Sequence, residues 1–162
     1  MILRDNQEKA FNKIIQDSEP NYYIKGDHQS GKTELLKALA KYYKEAGKTV
    51  LFIDGQRYGQ IPNSIIYFIA NELGLHYEEK TSLEWLWDQI DIKIGEIGSN
   101  LFLVIDELDC LPFITQGNFR ALAMAHKIRI IAAVSNQGYV KLSEEWDFGS
   151  PLIDNLLQGI DL

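Results

Sequence analysis

Gly26-Asp27-His28-Gln29-Ser30-Gly31-Lys32-Thr33 fits the pattern G-x-x-x-x-G-K-[ST] at every fixed position. The chemistry of an anion cradle explains each of them. The glycines let the backbone curl until successive N–H groups point inward at phosphate oxygens. Lys32 adds a full positive charge for the β- and γ-phosphates of a nucleotide, and the Thr33 hydroxyl is a hard oxygen ligand of the kind Mg²⁺ takes. The flanks agree with this reading. Tyr22-Tyr23-Ile24 reads as a strand entering the loop, and Leu35, Leu36, Leu39, Tyr42 and Tyr43 recur at helical spacing beyond it. A helix starting at the loop aims its free N–H groups and positive dipole end at the same anion. All eight residues from Gly26 to Thr33 are therefore the expected nucleotide-binding set, with Lys32 as the principal phosphate contact.

Working outward, the spacing predicts strands at 50–53, 101–105 and 128–134, with a further one at 160–162. The third and fourth are continuously apolar, as strands are when helices cover both faces of a parallel sheet. Helical patterns fall after Asp5, at 63–73, 82–97 and 118–127, with a short piece near 152–157 after a turn at Gly149-Ser150-Pro151. Asp5 with Glu8 and Thr81 with Glu84 have the spacing of helix-capping pairs. Strands alternating with helices imply a three-layer α/β architecture.

Asp106 and Glu107 stand at the end of the third strand, the edge where ligands gather in open α/β sheets. Asp106 is expected to hold Mg²⁺, directly or through water, and Glu107 to polarise an attacking water. The fourth strand ends in Val134-Ser135-Asn136, where either Ser135 or Asn136 can reach a γ-phosphate or the water.

Together these blocks resemble the additional-strand P-loop ATPases, particularly AAA+ proteins and the archaeal-type and cyanobacterial AAA-like ATPases. The resemblance implies an αβα core with about five parallel strands in the order 5-1-4-3-2. It implies ATP and Mg²⁺ as cofactors, a Walker A loop at 26–33, a Walker B pair at Asp106-Glu107 and a sensor 1 at Asn136 or Ser135. Leu3-Arg4-Asp5 is similar to the Gly-Arg-Glu start of some of these families, without the glycine. Two departures stand out. A helical lid after the fifth strand is expected either to be absent or to lie outside this sequence. Its arginines are Arg4, Arg57, Arg120 and Arg129, none beyond the fourth strand, where an arginine finger belongs; Lys141 is the base in that stretch. Slow hydrolysis follows, with the arginine supplied by another copy or a protein partner. The alternative is a non-hydrolysing ATP/ADP switch that presents a surface to a partner. A kinase would need an arginine-rich lid, and an Asp-Glu-x-Asp helicase a second facing domain.

Composition narrows the remaining classes. A chain of 162 residues suits a single domain spanning 1–162. Its 23 acidic and 16 basic residues give a net charge of −7, so direct nucleic-acid binding is not expected. Cys110 is the single cysteine, which excludes a disulfide framework, and no apolar run is long enough for a bilayer. A cytoplasmic protein is expected. His28, His76 and His126 lack metal-ligand spacing, and plain packing is expected of Trp85 or Trp87 and of Trp146 and Phe148.

Overall fold

Strands β1 (Tyr22–Gly26), β2 (Thr49–Asp54), β3 (Leu101–Asp106), β4 (Arg129–Ser135) and β5 (Gln158–Asp161) form one sheet in the order β2-β3-β4-β1-β5. Every pairing is parallel. This is the order 5-1-4-3-2 read from the opposite edge, as the sequence leads one to expect. The computed structural model describes residues 2–61, 63–144, 150–153 and 156–162. Trp146, Phe148 and Gly149 lie outside the described residues.

Two apolar layers explain the continuous runs in the central strands. Ile24, Val104, Ile131 and Ala133 point to one face, against Leu35, Leu36 and Leu39 of α2 (Lys32–Glu45) and Ile14 of α1 (Asp5–Gln16). Their chain neighbours Leu103, Ile105, Ile130 and Ala132 point to the other. There they meet Ile69 of α4 (Ser64–Glu72), Leu86 and Ile90 of α5 (Leu83–Ile97) and Phe119 of α6 (Phe113–His126). Each such leucine or isoleucine contributes roughly 1.5–3 kcal/mol on full burial. Trp87 packs on this second layer, whereas Trp85 is exposed.

The structure differs from the sequence reading at several helix ends. The N-terminal helix is capped one residue early: the Arg4 N–H donates to Gln7 Oε1 at 2.7 Å, so the Asp5–Glu8 pairing does not form the cap. Ser82, not Thr81, caps α5, accepting from Trp85 N–H at 3.1 Å, while Thr81 Oγ1 accepts from Glu78 N–H. The sixth helix starts at Phe113 rather than 118, because Pro112 sets its entry and Gln116 is buried in it. Two helices were not anticipated, α3 (Gly55–Gly59) and α7 (Asn136–Glu144). Near Leu152 the described residues form a single turn, with Leu156 and Leu157 N–H both donating to the Leu152 carbonyl. Among the described residues no helix follows β5, and none is long and apolar enough to cross a membrane.

Register aligns the chemistry. Gly26 lies beside Ser135 and Asp54 beside Asp106, so strands that carry candidate residues end along one edge of the sheet.

Candidate functional site

The loop after β1 folds around its own lysine. Lys32 Nζ donates to the carbonyls of Gly26 at 2.8 Å and Asp27 at 2.6 Å, and to Ser30 Oγ at 3.2 Å. Burial lowers the Lys32 pKa, against the pull of Asp106, Asp27, Asp109 and Glu107, which favour the ammonium. Gly31 adopts φ +91°, the left-handed region open to glycine, and turns the chain into α2. Its carbonyl is held from outside the loop. Gln7 of α1, nearly fully buried, donates to Gly31 O at 2.9 Å. A side chain at Gly31 would run into that amide.

The carboxylate pair meets the loop directly. Thr33 Oγ1 donates to Asp106 Oδ2 at 2.7 Å, joining residues 73 apart in sequence. Asp106 Oδ1 in turn accepts the Glu107 N–H at 3.1 Å. Glu107 sits at φ +50°, a conformation that costs a residue with a side chain of order 1–3 kcal/mol unless its surroundings enforce it. Burial raises the Glu107 pKa, and the negative charges of Asp106, Asp54 and Asp109 raise it further, with His28 opposing. A carboxyl held closer to neutrality is suited to general-base work.

The facing wall is α7. Ser135 caps it, its Oγ accepting from Gly138 N–H at 2.9 Å. Asn136 reaches back to the loop, Nδ2 donating to Asp27 Oδ1 at 2.6 Å. Gly138 is pressed against Asp109, and any Cβ there would overlap the Asp109 carboxylate. These elements enclose a cleft of about 420 Å³ lined by Lys32, Thr33, Asp106, Glu107, Ser135 and Lys141 among others. His28 and Gln29 also line it, so the imidazole is exposed yet faces the site. Asn136 stays at the outer rim, exposed and paired with Asp27.

Thus His28, Gln29, Gly31, Lys32 and Thr33 of the loop share one cleft with Asp106, Glu107 and Ser135, while Asn136 is tied to the loop from outside that lining. Sequence reasoning missed three others. Gln7 carries no local signal, since its partner is a carbonyl 24 residues away. Asp109 and Gly138 pack on one another from segments whose contact no local pattern announces.

A parallel sheet in this order, with the glycine-lysine loop after its first strand and the acidic pair after its third, defines a P-loop NTPase of the additional-strand class. The sequence profile of the AAA domain matches residues 15–141. The chain belongs to the AAA domain family. It matches no curated protein by sequence. Among solved structures it is similar to the ORC1 protein of Aeropyrum pernix, determined in complex with DNA, at 16% identity and TM-score 0.71. That match covers 99% of this chain and 45% of the other. Cdc6p from Pyrobaculum aerophilum matches at 17% identity and TM-score 0.73, over 97% and 45% of the two chains. AMPPCP-bound DnaA from Aquifex aeolicus matches at 15% identity and TM-score 0.62, over 100% and 48%. The chain therefore spans less than half the length of these three structures, and at such identities the likeness is one of fold.

Proposed function

We propose that this chain is an Mg-ATP-binding ATPase core that turns ATP over slowly and works within a larger AAA+-like or signalling assembly in the cytoplasm. The observation that carries this reading is the 2.7 Å contact between Thr33 and Asp106 beside Lys32. It brings a hydroxyl and a carboxylate together where two hard oxygens are wanted. Residues 26–33 would wrap the phosphates, Glu107 would orient and deprotonate water, and Asn136 or Ser135 would read the γ-phosphate. Among the described residues no three or more His, Cys, Asp and Glu are placed to hold a metal ion together. A two-ligand site fits Mg²⁺, which keeps waters and phosphate oxygens in its shell, so Thr33 and Asp106 would hold it. When bound it neutralises charge on the β- and γ-phosphates. The triphosphate analogue carried by Aquifex aeolicus DnaA supports ATP as the ligand. Direct nucleic-acid contact is not proposed for this acidic chain, although the Aeropyrum pernix ORC1 structure holds DNA.

The test is thermal stability with ligand. At a hundredfold excess over its dissociation constant, Mg-ATP or Mg-ADP should add about 2.7 kcal/mol. Lys32→Ala should abolish that gain, since backbone N–H groups cannot replace a full charge. A folded Lys32→Ala protein with an undiminished shift would sink the reading.

A second reading, a non-hydrolysing ATP/ADP switch, is favoured by the arginines. Arg57 lies over Tyr58, Arg129 pairs with Glu19, Arg4 precedes α1, and Arg120 sits in α6. None lines the cleft. An arginine from a second copy or a protein partner would convert the switch into a hydrolase, so phosphate release with and without that partner separates the two.

A further inference from the structure

Lys32 and Lys141 are the lysines among the residues that line the cleft, and no arginine joins them. They stand on opposite walls. Lys32 opens α2 and is tied into the loop by its three hydrogen bonds. Lys141 comes from α7 and forms no ion pair among the described residues. Gln137, Gly138 and Lys141 line the cleft together, and their i, i+1, i+4 spacing puts them on one helix face. That face is clamped toward the carboxylates, because Gly138 packs on Asp109 and Ser135 caps the helix. Lys141 thus lines the cleft from the side that carries Asp109 and Cys110, in the same cleft as Lys32 and Thr33. Its charge is felt there, for it partly offsets the burial and the acidic neighbours that raise the Cys110 thiol pKa.

We infer that Lys141 is the residue that distinguishes a nucleoside triphosphate from a diphosphate in this site, by contacting the terminal phosphate from the α7 side. The inference rests on the phosphate-loop reading above and extends it. The acidic lining makes such a cation useful: Asp106, Glu107 and Asp109 all line the cleft, and Asp106 meets the loop at Thr33. An added phosphate there brings further negative charge, and one mobile ammonium from the same wall offsets it. A diphosphate lacks that phosphate and would be held by the loop.

The experiment is calorimetric titration of the wild-type chain, Lys141→Ala, Lys141→Arg and Lys32→Ala with Mg-ADP and with a non-hydrolysable Mg-ATP analogue. For Lys141→Ala, affinity for the analogue should fall on the order of tenfold, as one charged hydrogen bond is lost. Its affinity for ADP should stay within about twofold, and Lys141→Arg should keep most of the preference. Lys32→Ala should weaken both ligands together. Equal losses for both nucleotides in Lys141→Ala, or no loss for either, overturn the inference while leaving the phosphate-loop reading intact. Failure of the wild-type chain to bind either nucleotide overturns both.

Discussion

The two walls of the cleft are built on different principles. On the loop side, Lys32 reaches Gly26, Asp27 and Ser30, all within six residues of itself. The facing side is assembled from distant parts: Asn136 meets Asp27 across 109 residues, and Thr33 meets Asp106 across 73. The local wall presents backbone N–H groups and one charge, which suit any phosphate chain. The assembled wall carries the acids, the cap and the second lysine, which on the proposed reading act on that chain. Binding and chemistry should therefore be separable by substitution.

Glu107→Gln tests that separation with the largest expected effect. Gln keeps the size and a hydrogen bond but cannot take a proton, and a lost general base costs about 10²–10⁴-fold in rate. Phosphate release should fall at least a hundredfold while nucleotide affinity changes little. Asp106→Asn should do the reverse in part, weakening affinity only when Mg²⁺ is present. Equal phosphate release by wild type and Glu107→Gln would mean that the assembled wall does not supply the base.

The same contrast decides what could be read in advance. The loop stood out because the phosphate binding proposed for it needs contiguous residue types, and the central strands were legible because burial on both faces leaves an unbroken apolar run. Asp106 and Glu107 were legible because a strand end announces itself. By contrast, α7 was invisible: Asn136-Gln137-Gly138 reads as turn chemistry, and only Ser135 capping Gly138 and the packing of Asp109 make it a helix start. The brace from Gln7 was hidden for a related reason. A buried glutamine looks like any surface glutamine until its partner, here a carbonyl 24 residues away, is known.

Gly138→Ala probes the assembled wall next. The new methyl group would overlap the Asp109 carboxylate, and overpacking of this sort costs typically 1–3 kcal/mol. Chemical denaturation should register a loss of about that size, and Asp109→Ala in the same chain should recover much of it. Additive effects in the double mutant would mean the two residues are not in contact. Gln7→Leu asks the matching question of the local wall. It removes one of two donors to the Gly31 carbonyl, which keeps the Leu35 N–H at 3.1 Å, and it frees the Arg4 N–H, so the loss should be about 0.5–1.5 kcal/mol. Nucleotide affinity should drop with it. A stability loss with unchanged affinity would show that the loop holds its shape without α1.

The smallest effect follows from the crowding of carboxylates on the assembled wall. Burial first, then Asp106, Asp54 and Asp109, hold the Glu107 pKa above its ordinary value of 4.5. Between that ordinary value and the raised one, the folded chain binds more protons at this position than the unfolded chain does. Stability from Glu107 is therefore present at low pH and declines as pH rises through the window. Glu107→Gln removes the titration, so the variant should become more stable than wild type above the window and match it in pH trend below 4.5. Partial solvent access keeps the difference small. Melting curves of the two proteins across that pH range give the answer directly. A gap that stays constant with pH, or that opens in favour of wild type at high pH, would mean that burial and the surrounding acids do not press on Glu107.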